Sequence, residues 1–285
     1  MDTRFQNWRQ APAKVNLALR VLGRRPDGYH ELDSVMARLT LADRLSLELA
    51  GAGPDRLVAL NQAANALPPG FEGPANLTLK AVQAFREEAG WPGAAIHIIL
   101  EKNIPWGAGL GGGSADGAAV LAALNRAAPE PLPAPRLAAL ALALGADLPF
   151  FLAGAPLARA GGVGEKLSAP PPAFEFFRGR EIWLVKPDFS LATARVFATL
   201  GLTNPPPEHN LGPDLQPGEN DLLAPALRLA PALGEVVQAV KALKPAAWGL
   251  SGSGPTFWLH GAEENPASLA RARPQWWVRA ANVAA

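Results

Sequence analysis

The stretch Lys102-Asn103-Ile104-Pro105-Trp106-Gly107-Ala108-Gly109-Leu110-Gly111-Gly112-Gly113-Ser114-Ala115-Asp116 decides how the chain folds. Five of the seven residues from Gly107 to Gly113 are glycine. An alternating apolar run (Ala94–Glu101) precedes this stretch and an alanine- and leucine-rich run (Ala115–Ala128) follows it, so we expect a strand, a glycine loop and a helix. Glycines let backbone N–H groups converge, and a helix N-terminus adds about half a positive charge. The stretch therefore predicts a phosphate-binding loop.

Composition narrows the class of protein. The 285 residues suffice for one large or two modest domains, and 49% hydrophobic with 18% charged residues indicates a globular chain. A net charge of +1 argues against nucleic acid or a membrane surface as partner. The absence of cysteine excludes disulfides and thiolate chemistry. The polar start (Met1–Gln10) and the lack of an apolar run of roughly 20 residues lead us to expect a cytoplasmic protein.

Two polar side chains share one face of the first predicted strand. Alternation from Ala11 to Gly23 places Lys14 and Asn16 on the same side, where the pattern alone favours a solvated edge. A Pro-Asp-Gly turn then presents Tyr29 and His30, a pair that is more often structural than functional.

Further elements follow from caps, breaks and periodicity. We expect two strands, Ser34–Thr40 and Arg44–Leu49, around a turn at Ala42-Asp43. Asn76 is a good N-cap for a helix that Gly90 ends. Further predicted elements include a hairpin or bulge at Ala158–Glu165, a strand at Glu181–Lys186, a helix at Ser190–Leu200, a proline-rich loop at Asn204–Gly218, and strands at Ala246–Leu250 and Thr256–His260.

The glycine stretch also fits the dinucleotide fingerprint Gly-x-Gly-x-x-Gly. That fingerprint requires an acidic residue about 20 positions later, at the end of a second strand. The nearest is Glu130, which lies in a proline-flanked break, so a dinucleotide site is disfavoured. The chain also lacks the GxxxxGK[ST] loop, protein-kinase signatures, HExxH, GxSxG and an EF-hand loop. A different class of phosphate loop remains.

Phosphoryl transfer needs donors for the phosphates, an oxygen ligand for Mg²⁺, a cation for the developing charge, and a carboxylate for the acceptor hydroxyl. The phosphate loop, Ser114, Lys14 and Asp147 supply this set. On its own, the Asp147 in Gly145-Ala146-Asp147-Leu148-Pro149-Phe150-Phe151 is more often a cap or turn residue than a catalytic one.

The motifs together resemble those of the GHMP kinases, whose phosphate-loop motif is similar to Pro105–Ser114. Other stretches resemble the branch that acts on a substrate carrying cytidine diphosphate. They lie in family order between about residues 11 and 260: Pro12-Ala13-Lys14-Val15-Asn16-Leu17, Asp27-Gly28-Tyr29-His30-Glu31-Leu32, Gly145–Phe151, Asn220-Asp221-Leu222 and Ser251-Gly252-Ser253-Gly254.

The resemblance implies the two-domain GHMP kinase fold, of the α+β class. Residues 1–155 would form an N-terminal domain similar to the second domain of ribosomal protein S5. Residues 156–285 would form the C-terminal α+β domain, with the active site in the cleft between the two.

The resemblance also implies roles for single residues. Lys14 and Asp147 would be catalytic. Asn16, Tyr29, His30, Thr193 and Phe197 would bind the substrate: Tyr29 and Phe197 would sandwich the cytosine ring, and His30 would hydrogen-bond its edge. Before Phe197, Val185-Lys186-Pro187-Asp188-Phe189-Ser190 departs from the usual histidine-proline-glycine form.

The implied cosubstrate and metal are ATP and Mg²⁺. The ATP-binding residues would be Pro105, Trp106, Gly107, Ala108, Gly109, Leu110, Gly111, Gly112, Gly113, Ser114 and Ala115. Ser114 would help hold Mg²⁺, although Ala115 stands where the family often has a second hydroxyl.

We expect a monomer or a weak homodimer with a small-molecule substrate. Two alternatives stay open: a homoserine or mevalonate type of GHMP kinase, and a non-catalytic nucleotide-binding protein. The Asp27–His30 turn argues against the first, because those substrates have no base to stack, and Lys14 with Asp147 argues against the second.

Overall fold

A computed structural model describes residues 8–63, 65–91, 94–202 and 214–285. Its strands are β1 (Arg9–Arg24), β2 (His30–Leu49), β3 (Arg56–Asn61), β4 (Ile96–Lys102), β5 (Leu157–Gly162), β6 (Lys166–Ser168), β7 (Glu181–Lys186), β8 (Ala247–Leu250), β9 (Phe257–His260) and β10 (Trp277–Asn282). Its helices are α1 (Leu77–Ala89), α2 (Gly112–Ala127), α3 (Ala134–Leu144), α4 (Leu148–Ala153), α5 (Pro172–Glu175), α6 (Thr193–Ala198), α7 (Leu223–Leu229), α8 (Leu233–Ala242) and α9 (Ala267–Ala272). The expected α+β class is confirmed.

Packing divides the chain into two compact units. Of the described residues, the first unit contains those of 8–13, 41–106 and 111–155, and the second contains those of 14–40, 107–110 and 156–285. Residues 14–40 and 107–110 thus pack with the C-terminal half, although both lie before the predicted boundary. The division into sequence domains 1–155 and 156–285 stays a prediction.

The first unit is a sheet covered by helices. The C-terminal half of β2 pairs antiparallel with β4, from Arg44 opposite Glu101 to Leu49 opposite Ile96, and β3 pairs parallel with β4. Helices α1, α2 and α4 pack together, and Phe85, Leu121 and Phe150 are fully buried. This packing fixes the start of α2, which is where the glycine loop ends.

The second unit contains the other paired strands. The N-terminal half of β2 pairs antiparallel with β5, and β5 pairs with β6 as the predicted hairpin. A separate antiparallel sheet has the order β10-β7-β9-β8. Its core is apolar, with Val185, Phe257 and Leu259 fully buried. The turn between β8 and β9 carries the Ser251–Gly254 motif.

Predictions from local signals were largely confirmed. The Asn76 side chain accepts a hydrogen bond from Thr78 N, and Gly90 ends α1 in the left-handed region at φ 59°. The strand Glu181–Lys186 has the predicted bounds. Most of the predicted loop Asn204–Gly218, and residues 1–7 of the polar start, lie outside the described residues. Among the helices that the structure describes, none is long and apolar enough to cross a membrane.

One prediction about strands was wrong. Residues 30–49 form the single strand β2, not two strands around a turn at Ala42-Asp43. Asp43 is fully buried and its carboxylate accepts hydrogen bonds from the backbone N–H groups of Asn103 and Ile104, at 2.6 and 2.8 Å. The aspartate that suggested a turn therefore serves as an internal acceptor within a continuous strand.

Candidate functional site

Three glycines of the loop have a backbone conformation that only glycine adopts readily. Gly107, Gly109 and Gly111 have φ of 66°, 76° and 69°, in the left-handed region. A Cβ on Gly109 would lie 2.7 Å from both Gly254 O and Ser251 O. Left-handed glycines in a loop allow backbone N–H groups to converge on an anion, as in anion-binding nests.

The start of α2 completes this anion site. Gly111 caps the helix without a side-chain hydrogen bond, and the first turn of this fully described helix carries no acidic residue. The N–H groups of its first turn therefore remain open to an anion, and the helix dipole favours negative charge there. The phosphate-binding role of Gly111, Gly112 and Gly113 stays a prediction.

The other loop residues differ in exposure. Pro105, Ala108, Leu110 and Ala115 are buried, Ser114 is half-buried, and Gly113 is exposed. Trp106 is 45% exposed. Its backbone is held by Asn65, whose Nδ2 donates to Trp106 O at 3.0 Å and whose Oδ1 accepts from Trp106 N at 3.2 Å. Apolar members of the loop are thus buried, while Trp106 faces outward.

A buried charged cluster lies directly beneath the start of α2. Lys102 Nζ donates to Asp43 Oδ2 and, at 2.8 Å, to Asp116 Oδ2. A Cβ on Gly112 would lie 3.3 Å from Lys102 Nζ. Since Asp43 also accepts from the N–H groups of Asn103 and Ile104, the cluster ties the end of β4 and the entry of the loop to the first turns of α2.

Burial shifts the protonation of this cluster. Desolvation, with the charge of Asp43 adding to it and that of Lys102 opposing it, raises the pKa of Asp116 to about 7. Desolvation disfavours the charged form of Lys102, but the two carboxylates together raise its pKa. Asp116 Oδ1 is buried and has no hydrogen-bond partner among the described residues. One cation serving two buried carboxylates favours a proton on Asp116 near neutral pH.

Lys14 and Asn16 are buried, so the solvated edge that the strand pattern favoured is wrong. Their exposed fractions are 5% and 4%. Lys14 Nζ donates to Asn16 Oδ1 at 2.6 Å, and Lys14 N donates to Leu110 O, in the glycine loop, at 2.9 Å. The structure therefore brings together the predicted lysine, its neighbouring asparagine and the phosphate loop.

The second glycine motif packs against the same pair. Ser251 Oγ donates to Gly109 O at 2.9 Å and accepts from Asn16 N at 3.4 Å. Trp258 Nε1 donates to Asn16 O at 2.9 Å. Asn220 Nδ2 in turn donates to Leu250 O and Gly252 O, which shapes the turn. The Ser251–Gly254 turn thus supports both the lysine strand and the phosphate loop.

The predicted base-binding residues are partly assembled. The rings of His30 and Phe197 lie 4.8 Å apart, with 32° between their planes, while Tyr29 is 62% exposed. Burial, with the charge of Arg24 adding to it, lowers the pKa of His30, so its ring is neutral at neutral pH and keeps both an acceptor and a donor nitrogen. Thr193 Oγ1 lies 2.9 Å from Ser253 Oγ. The stacking of Tyr29 against a base stays a prediction.

Asp147 occupies the N-cap position of α4, although it does not cap the helix. Its side chain makes no capping hydrogen bond in this described segment, so the simple interpretation as a helix cap is wrong. The residue is half-buried. Asp147 belongs to the first compact unit and Lys14 to the second, and their pairing stays a prediction.

The residues present fit Mg²⁺ only as a partner of bound phosphates. No cluster of three or more His, Cys, Asp or Glu suited to a metal occurs within the described ranges. Magnesium in kinase sites is commonly held by one or two protein groups together with substrate phosphates and water. The hydroxyl of the half-buried Ser114, in the first turn of α2, can be one such group.

Some residues of the site were missed from the sequence. Ser34 accepts from the Asn16 amide, and Asp43 and Asp116 hold Lys102. A buried acid within a strand gives no local signal that separates it from a turn residue. The only hint was Lys102 at the end of a strand, directly before the loop.

The fold and the phosphate loop define a small-molecule kinase of the GHMP class, which uses ATP. The family profile described as "GHMP kinases N terminal domain" matches residues 76–155. A mevalonate kinase structure from Methanococcus jannaschii shares the fold, with a TM-score of 0.65 over 98% of this chain and 99% of that chain, at 13% identity.

More similar relatives narrow the class. A 4-diphosphocytidyl-2-C-methyl-D-erythritol kinase from Thermus thermophilus is 41% identical, covering 93% of this chain and 90% of the relative. A second such kinase, from Paramagnetospirillum magneticum, is 40% identical, covering 96% of this chain and 97% of the relative. A crystal structure of 4-(cytidine 5'-diphospho)-2C-methyl-D-erythritol kinase has a TM-score of 0.71 and 37% identity over 97% of this chain and 99% of that chain. The chain belongs to the family of 4-diphosphocytidyl-2-C-methyl-D-erythritol kinases.

Proposed function

We propose that the chain transfers the γ-phosphoryl group of ATP to the 2-hydroxyl of 4-diphosphocytidyl-2-C-methyl-D-erythritol. This reaction belongs to isoprenoid precursor synthesis by the non-mevalonate (methylerythritol phosphate) pathway, and we place it in the cytoplasm, carried out by a monomer or weak homodimer. One observation carries the substrate assignment: His30 and Phe197, distant in sequence, are in ring contact, as expected of a site for a pyrimidine base.

The nucleotide side of the proposal uses the glycine loop. The N–H groups of Gly107–Gly113 and the start of α2 bind the phosphates of ATP, and the buried Lys102 cluster holds the loop from beneath. Ser114 would be one ligand of Mg²⁺. When bound, the metal neutralises charge on the phosphates. Trp106, outward-facing and held by Asn65, borders the same site.

The acceptor side uses Lys14 and Asp147. Asp147 orients the acceptor hydroxyl and takes its proton, and the Lys14 ammonium stabilises the negative charge of the transferring phosphoryl group. Asn16 keeps the ammonium in place through its 2.6 Å hydrogen bond and lies beside the substrate. Tyr29 and Phe197 stack on the cytosine ring, His30 hydrogen-bonds its edge, and Thr193 contributes a hydroxyl at the start of α6.

The experiment is a coupled ADP-release assay across three acceptors: the cytidyl substrate, homoserine and mevalonate. The proposal predicts Mg²⁺-dependent turnover with the cytidyl substrate alone. Turnover with homoserine or mevalonate and not with the cytidyl compound would support the alternative type of GHMP kinase. Nucleotide binding without turnover of any acceptor would support a non-catalytic binding protein.

A further inference from the structure

Ser34 is a buried serine on β2 whose hydroxyl makes two hydrogen bonds. It is 2% exposed. Its Oγ donates to Ala18 O at 2.6 Å and accepts from Asn16 Nδ2 at 2.8 Å. A serine hydroxyl has only one proton, and here the carbonyl of Ala18 takes it. Towards Asn16, Ser34 can therefore act only as an acceptor.

This polarity determines which way the Asn16 amide points. With Nδ2 directed to Ser34, the amide oxygen faces Lys14 Nζ and accepts its hydrogen bond at 2.6 Å. The flipped amide would set its NH₂ group against the ammonium of Lys14, which is itself a donor only. The flipped amide oxygen would also face the Ser34 hydroxyl, whose one proton is already donated to Ala18 O. The orientation of Asn16 thus follows from the donors and acceptors around it.

We propose that Ser34 is a positioning residue for phosphoryl transfer, acting through Asn16 on the ammonium of Lys14. The proposal rests on the proposed function, which gives Lys14 its role at the transferring phosphoryl group. The backbone of Asn16 is held separately, by Trp258 Nε1 on its carbonyl and by Ser251 Oγ on its N–H. Removing the Ser34 hydroxyl therefore frees the Asn16 amide while the strand stays anchored.

The first test compares Ser34→Ala with Ser34→Thr, which keeps the hydroxyl. We expect Ser34→Ala to lower kcat about tenfold, the scale of one lost hydrogen bond, while the KM for ATP changes less than about twofold. Ser34→Thr should retain most of the turnover. Unchanged kcat in Ser34→Ala, or equal losses in both variants, would overturn the proposal.

A double-mutant cycle then asks whether Ser34 acts through Lys14. In a Lys14→Ala background the ammonium is gone, so adding Ser34→Ala should cost no further turnover. If Ser34 has only a structural role, Ser34→Ala should lower turnover by the same factor whether or not Lys14 is present. An undiminished loss in the Lys14→Ala background would therefore contradict the proposal.

A measurement without any acceptor separates this proposal from the proposed function. Side-chain ammonium groups that are buried and hydrogen-bonded can be followed by ¹⁵N–¹H NMR at slightly acidic pH and low temperature, and Lys14→Arg assigns the Lys14 signal. We expect Ser34→Ala to broaden the Lys14 signal and to leave that of Lys102, which is held by Asp43 and Asp116, unchanged. Lys102 is thus an internal reference in the same sample.

Each outcome of the NMR experiment decides the point. A Lys14 signal that persists in Ser34→Ala contradicts the hydrogen-bond chain, whichever acceptor the enzyme uses. If both signals disappear, the variant has lost its fold, and Ser34→Cys, which fills similar space with a weak acceptor, takes its place. Retention of the Lys14 signal and of full kcat in Ser34→Cys would then refute the proposal.

If the wild type does not turn over the cytidyl substrate, the proposed function fails. The Lys14 signal alone then decides whether Ser34 orients Asn16.

Discussion

Lys14 is held at both its backbone and its side chain. Its N–H donates to the phosphate loop through Leu110 O, and its ammonium donates to Asn16. A buried lysine fixed in this way loses little side-chain freedom when a reaction begins, which favours preorganised stabilisation of developing negative charge. Strand alternation alone could predict that Lys14 and Asn16 share a face. It could not predict their burial, because the partners that satisfy them come from β2 and from the turn after β8.

The first prediction at the residue scale concerns Asp147. Asp147→Asn keeps the size of the side chain but removes the base, so we expect kcat to fall about 10²- to 10⁴-fold. The KM for ATP should change little. Steady-state ADP release measures the effect, with Glu130→Gln at an exposed position as the matched control. A loss of only a few-fold would remove Asp147 from the catalytic assignment.

The second prediction concerns Tyr29. Stacking of a base on an aromatic ring contributes roughly 1–3 kcal/mol, so Tyr29→Ala should raise the KM for the cytidyl substrate about 5- to 150-fold. The KM for ATP should stay nearly constant. Tyr29→Phe keeps the ring and serves as control, and it should behave like the wild type. Equal losses for both ligands would argue against a base at Tyr29.

At the scale of elements, the glycine loop and its supports form a unit that sequence motifs describe only in part. Motif spacing predicted a strand, a loop and a helix, and the structure has β4, residues 103–111 and α2 in that order. What the motifs could not predict is that Gly109 lies against the Ser251–Gly254 turn, or that Asp43 in the middle of β2 accepts from the loop entry. Both contacts join segments far apart in sequence.

The packing of the loop leads to a prediction about Gly109. Gly109→Ala places a Cβ 2.7 Å from two carbonyl oxygens in a left-handed conformation, so we expect a lower melting temperature and at least tenfold weaker ATP binding. Gly234→Ala is the control, since its Cβ meets open space within the first turn of α8 and alanine favours the helix. Calorimetry of both variants checks the contrast. Equal melting temperatures would contradict the close approach of the two loops.

The buried cluster leads to a prediction about stability and pH. The pKa of Asp116 is about 7 in the folded chain, against an ordinary value of 3.8, so between these values the folded chain binds more protons than the unfolded chain. Stability from this group is therefore greatest at low pH and falls as pH rises towards 7. The Asp116→Asn variant has no carboxyl group at this position, so it does not lose this stability as pH rises.

The measurement is the melting temperature of Asp116→Asn minus that of the wild type, without nucleotide or Mg²⁺, across the pH range. This difference should grow as pH rises from about 4 to about 7 and level off above that range, since groups common to both proteins cancel. A difference that does not change with pH would contradict the protonation of Asp116.

At the scale of the whole molecule, similarity over nearly the full chain and the chemistry of single residues point to the same reaction. The glycine loop by itself indicates only phosphate, and its spacing even fits a dinucleotide fingerprint. The family assignment rests on similarity over nearly the full chain, such as 41% identity to the Thermus thermophilus enzyme, and the roles of Lys14, Asn16, His30 and Phe197 are proposals beside it. The substrate is thus indicated by residues outside the loop, and the loop indicates ATP.

The most direct test is a competition between acceptors in one vessel. The wild-type protein is incubated with ATP, Mg²⁺ and equimolar cytidyl substrate, homoserine and mevalonate, and the products are identified by mass spectrometry and ³¹P NMR. We predict a single new phosphate ester, on the 2-hydroxyl of the cytidyl substrate, formed in step with ADP. Phosphorylation of homoserine or mevalonate instead, or ADP formed without any new ester, would contradict the assignment.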